Sequence, residues 1–134
     1  MADSNEPVLW VARILSAIFL FAAGGIHLFL VFTGTGGILG VMFVLNGIAG
    51  IVLAIAMVVL RGRLLRLATA LSLLFLIATL LALILALTVS LFGITETWDN
   101  PWVLPTVIIE AIGIAVLAIT TALVLRAPVA SLIP

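Results

Sequence analysis

The sequence predicts an all-α membrane protein: an antiparallel bundle of four transmembrane helices with both termini in the cytoplasm. Three observations predict it. The 134 residues are 66% hydrophobic and 7% charged, with a mean hydropathy of +1.59, whereas soluble domains carry about 25% charged residues. The apolar residues fall into four runs separated by short polar or Gly-rich breaks, and each run is close to the ~20 residues that cross a bilayer core. All the basic residues are arginines, and they gather on one side of the resulting topology. The length fits a single domain, 1–134.

Residues 1–7 are polar and read as a short tail. The first span lies near 8–32. Its leading segment is acidic and Arg13 sits inside the apolar run, unlike a cleaved signal with a basic start and a core of about 7–15 residues. It is therefore read as a retained helix. The cluster Thr33-Gly34-Thr35-Gly36-Gly37 breaks the run, because glycines cost helix propensity and permit a turn. The second span lies near 38–60.

Arg61-Gly62-Arg63-Leu64-Leu65-Arg66 separates it from a Leu-rich, uncharged third span near 67–92. Gly93 to Pro101 is a polar connection holding Glu96 and Asp99, with Asn100-Pro101 as its breaker. The fourth span runs near 102–125, ends at Arg126 and is stopped by Pro128. Pro105 falls close to its start, where a missing N–H is tolerated. Short connections make neighbouring helices antiparallel.

Arg13, Arg61, Arg63, Arg66 and Arg126 share one side, and the loops at 33–37 and 93–101 contain no basic residue. Positive-inside bias assigns the arginine side to the cytoplasm. Trp10 suits that interface, and Trp98 and Trp102 suit the opposite one. Segments 13–32 and 66–85 both follow an arginine, but their polar residues do not align. A transporter of two matched halves finds no support in that.

Several chemistries are excluded by composition. Without Cys there is no disulfide or thiol catalysis, and without Lys there is no Schiff base. One His and five carboxylates do not make a His-rich zinc site or a carboxylate-bridged di-iron site. Zero net charge offers nothing to nucleic acid. The glycines at 34–37 lack the lysine of a phosphate-binding loop. No nucleophile, metal or cofactor motif marks an enzyme.

What is left is a set of polar residues deep in the spans. His27 lies 14 residues beyond Arg13, Asn46 15 before Arg61, and Glu110 16 before Arg126. At about 1.5 Å per residue these are roughly 21, 22 and 24 Å from the arginine layer, and Thr79, beyond Arg66, is about 20 Å away. Each helix thus brings a polar group to nearly one depth. His27 shares a face with Ser16, Ala17, Ala23 and Gly24; Asn46 lies near Gly47, Gly50 and Ala54; Thr106, Glu110, Gly113 and Thr120 form a stripe. Small and hydroxyl residues at such spacing let membrane helices approach and hydrogen-bond. The simplest reading is a shared polar layer facing inward.

Each of these residues has a plain structural role to weigh first. Glu110 serves as a hydrogen-bonded acid fixing helix register, with proton or ion handling as its functional alternative. His27 serves as a bundle histidine before it serves as a ligand, and Asn46 as interhelical glue. Glu96 and Asp99 form an acidic outer mouth, most simply a solvated loop that attracts cations. A haem held by His27 and Met42, or a quinone near His27, is a weaker reading, since the chain has a single His.

The segments Gly25-Ile26-His27-Leu28, Leu45-Asn46-Gly47-Ile48-Ala49-Gly50 and Leu91-Phe92-Gly93 with Glu96 resemble a group of small four-helix inner-membrane proteins of high-GC bacteria. The resemblance spans most of the chain and implies a bacterial plasma (inner) membrane location, with no established activity. His27, Asn46 and Glu96 match the group's pattern; Glu110 falls outside it.

Two functions compete on this reading. The first is a non-enzymatic accessory subunit, embedded in the lipid bilayer and bound to a membrane-protein partner or to its own copies. The second is a proton-coupled transporter or channel using Glu110 and His27.

Overall fold

A computed structural model describes residues 6–132. They form four long helices, α1 (Glu6–Phe32), α2 (Gly37–Val59), α3 (Gly62–Thr88) and α4 (Val103–Arg126), followed by a 3₁₀ turn (Val129–Leu132). Each of the four is long and apolar enough to cross a membrane. The outward residues are those expected of rods in lipid: Phe21, Leu45, Val52, Leu74, Leu81 and Ile119 are all more than half exposed. Burial here is a matter of helix–helix seams rather than of a surrounded core.

Four differences from the sequence reading have physical causes. Glu6 and Pro7 belong to α1 rather than to a tail, with the acid in the first turn and the proline where its missing N–H costs nothing. The remaining tail residues, 1–5, lie outside the described residues. The third helix begins at Gly62, not near 67, so Arg63 and Arg66 stand on helix rather than loop. Leu and Arg are strong helix formers, and the reversal needs only Leu60 and Arg61, because Gly62 adopts φ +60°.

The same helix stops at Thr88, not near 92. Ser90, Phe92 and Gly93 have positive φ, an isolated bridge joins Leu91 to Ile94, and the Glu96 N–H returns to the Ala86 carbonyl at 2.9 Å. Finally, Pro128 ends α4 but not the ordered chain. The 3₁₀ turn tucks Leu132 into the apolar cluster beside α3.

The helices touch in sequence, α1 on α2, α2 on α3 and α3 on α4, and α4 also packs on α1. The α1–α2 seam is closest and is built on glycine. A Cβ on Gly50 would stand 3.0 Å from the Gly24 Cα and from the Leu20 carbonyl, and one on Gly24 would stand 3.0 Å from the Gly47 carbonyl. Backbones approach there because no side chain intervenes. Between that crossing and the arginine end, Leu20, Met57, Leu65, Leu76, Leu117 and Val124 are fully buried and fill the interior.

Candidate functional site

The arginine end is held by side chains that reach across helices. A helix terminus leaves its last carbonyls unpaired, and a cation nearby also meets the negative end of the helix dipole. Arg13, only 4% exposed, supplies both to α2. Its Nε donates to the Met57 carbonyl at 2.8 Å, and Nη2 donates to those of Val58 at 3.1 Å and Leu60 at 2.8 Å. The Trp10 ring lies 4.2 Å from the guanidinium, a cation–π distance.

Arg66 does the same for α4, donating from Nη2 to the Ala127 carbonyl at 2.6 Å. Three residues beyond each arginine stands a buried hydroxyl. The Ser16 and Thr120 hydroxyls meet at 2.9 Å between α1 and α4, and the Thr69 hydroxyl reaches the Leu65 carbonyl at 2.6 Å and Met57 Sδ at 3.6 Å. The spacing Arg13–Ser16 and Arg66–Thr69 is a local likeness of the two hairpins that the longer segments do not share. Arg61, Arg63 and Arg126 are exposed.

The opposite end is less filled. A partly enclosed cavity of about 140 Å³ lies there, lined by residues of all four helices and of the α3–α4 connection. His27 comes from α1, Asn46 from α2, Thr79 from α3 and Thr106 from α4. The connection adds Glu96, Asn100 and Trp102. The chamber exists because small residues, Ala82, Ala86 and the two threonines, face it from α3 and α4.

The polar residues that the sequence set at one depth are distributed as follows. The His27 Nδ1 lies 2.7 Å from the Ala23 carbonyl; a carbonyl only accepts, so Nδ1 carries the proton, and in the neutral ring Nε2 is left as an acceptor. Phe43 packs edge-on against the imidazole with ring centroids 4.8 Å apart. The Asn46 Oδ1 is buried with no hydrogen-bond partner among the described residues, so this oxygen does not make the interhelical bond expected of it.

Glu110 is fully buried one turn below Thr106. Its Oε1 accepts from the Thr79 hydroxyl at 2.5 Å, joining α3 to α4, and its Oε2 has no partner among the described residues. Glu110 does not line the chamber itself; it stands behind Thr79, which does.

The two loop acids separate. Glu96 lines the chamber and is half-buried, with Oε1 accepting the Thr97 N–H at 2.9 Å. Asp99 is exposed and not among the lining residues. Met42 also lines the chamber near His27, but the volume is benzene-sized, too small for a porphyrin. Among the described residues no group of three or more His, Cys, Asp or Glu could hold a metal.

Sequence reasoning missed Asn100, Trp102 and the two capping arginines. Asn100 Oδ1 accepts the Trp102 N–H at 3.0 Å at the entry to α4, and the Trp102 ring rests on Phe29 with centroids 5.0 Å apart. The repeated Arg-x-x-Ser/Thr spacing was the available signal for the caps. Comparison with protein-family models, curated proteins and solved structures finds no match to this chain.

Proposed function

We propose that this chain is a multi-pass protein of a bacterial plasma membrane, its four helices forming an antiparallel bundle with both termini and the arginine end in the cytoplasm. In this reading it is a small, non-enzymatic accessory subunit that holds a ligand in the chamber at the outer end. Arginine placement supports the orientation. One observation carries the binding role: a partly enclosed apolar chamber with convergent polar groups from every helix, whereas the larger groove of about 630 Å³ between α1 and α2 in the arginine half is open and lined by apolar side chains alone. Such pockets between helices are where bundles take small molecules.

Trp102 lines the chamber and supplies a reporter in the full chain with Trp10→Phe and Trp98→Phe. Benzyl alcohol, a neutral ring of matching size, is expected to change its emission saturably, and Ala82→Phe, which fills the chamber, to abolish the change. A linear, unsaturable response in both proteins overturns the binding role. The accessory role predicts membrane-protein subunits or further copies of the chain on purification in mild detergent; a clean monomer counts against it.

The Thr79–Glu110 bond and the unpartnered Glu110 Oε2 favour proton-coupled transport as a second reading. Its path through the arginine half has only the hydroxyls of Ser16, Thr69, Ser72 and Thr120 among the leucines and Met57, with no second titratable group among them. Unchanged pH-dependent flux in proteoliposomes carrying Glu110→Gln eliminates it.

A further inference from the structure

The chamber has a charge and a hydrogen-bond sense. Its lining contains one carboxylate, Glu96, and neither Arg nor Lys. A second carboxyl, Glu110, lies buried behind Thr79, while every arginine stands at the other end of the helices. Among the described residues, the Asn46 Oδ1 and Glu110 Oε2 at this end are buried without a partner, behind the chamber wall rather than on its surface. The His27 Nδ1 proton is spent on Ala23, which leaves Nε2 of the neutral ring as an acceptor.

An anion brings its charge against the Glu96 carboxylate, with no Arg or Lys in the lining to offset it. A ligand with N–H donors and positive charge meets that carboxylate correctly, and the Phe43 and Trp102 rings in the lining offer faces that attract a cation. Most of the remaining wall is Leu, Ala, Val, Ile and Met42, with Thr79, Asn100 and Thr106 among them, which suits a hydrocarbon body.

Resting on the binding role above, we infer that the chamber takes a small lipophilic amine in its ammonium form, its head toward Glu96 on the Asn46 side and its body against the apolar wall. A benzene-sized volume limits the body to about one ring.

Three probes of one size separate charge from shape: benzylamine, benzyl alcohol and benzoate, titrated at neutral pH into the full chain with the Trp102 reporter. Benzylamine is expected to saturate at a concentration about tenfold or more below benzoate, the scale of one charge-assisted hydrogen bond. Glu96→Gln, in the connection rather than in a helix, and Glu110→Gln are each expected to narrow that gap, weakening benzylamine more than benzyl alcohol.

Glu96→Gln keeps the test valid should Glu110→Gln fail to fold. If benzyl alcohol binds and benzylamine binds no more tightly than benzoate, the amine inference is overturned while the chamber stands as a binding site. If no probe saturates, both fall.

Discussion

The two ends of the molecule solve the same problem, polar groups inside an apolar rod cluster, in opposite ways. At the arginine end the polar groups are used up: Arg13 and Arg66 close the C-termini of α2 and α4, and Ser16, Thr69 and Thr120 bond to backbone or to one another. The exceptions are the Arg66 Nε and the Ser72 Oγ. Leucines, Val124 and Met57 fill the space between.

At the chamber end, small residues leave a cavity and two carboxyl or amide oxygens stay unpaired. Unsatisfied buried polar groups cost stability at either end; what sets the chamber end apart is that its two stand on residues that line or back a cavity. The difference separates a half built on tight packing from a half that leaves a chamber between its helices.

The largest expected effect tests the arginine end. Arg13→Met keeps a flexible apolar stem but leaves the carbonyls of Met57, Val58 and Leu60 without their donor. A loss of about 3 kcal/mol is expected, given about 1–3 kcal/mol per orphaned buried group and partial rescue by water at the helix end. Unfolding of the detergent-solubilised protein, followed by helical circular dichroism, measures it. A change near zero breaks the comparison, since the arginine would then be a topology signal alone.

A middle-sized effect is expected where the two ends meet. Gly50→Ala places a Cβ against backbone at 3.0 Å, an overpacking worth about 1–3 kcal/mol, offset by about 1 kcal/mol of helix propensity. The net is a loss of about 1 kcal/mol. Gly25→Ala meets nothing within 4 Å and should gain a few tenths up to about 1 kcal/mol from propensity alone. The same unfolding assay reads both; equal signs would show that the crossing is not tight.

How much of this was legible depends on what each feature is made of. Four helices follow from apolar runs, which a single sequence displays. Counting residues at constant helical rise predicts one depth for His27, Asn46, Thr79 and Glu110; of these, His27, Asn46 and Thr79 line one chamber and Glu110 bonds to Thr79 from behind it.

The Arg13 cap was hidden by its separation of 44 to 47 residues from its acceptors; a topology count reads the same arginine whether it lies among headgroups or on a helix end. The chamber was hidden for another reason. It is made of volume that Ala82, Ala86, Thr79 and Thr106 fail to fill, and a missing volume becomes visible only once facing helices are in register. The start of α3 was misplaced because a charged run suggests a loop, although the same residues favour helix.

The smallest effect is the sharpest test of the chamber end. Asn46→Leu replaces an amide by an apolar group of nearly equal size. If Asn46 joined helices, its loss would cost about 0.6 kcal/mol, the average for hydrogen bonds in a membrane protein. The structure leaves Oδ1 buried and unpartnered, so removing it also removes a desolvation cost of order 1 kcal/mol. The expected result is therefore unchanged or slightly raised stability together with weaker binding of benzylamine, the pattern of a residue kept for a ligand at the expense of the fold. A clear loss of stability with binding intact would return Asn46 to the role of interhelical glue and make the two ends alike.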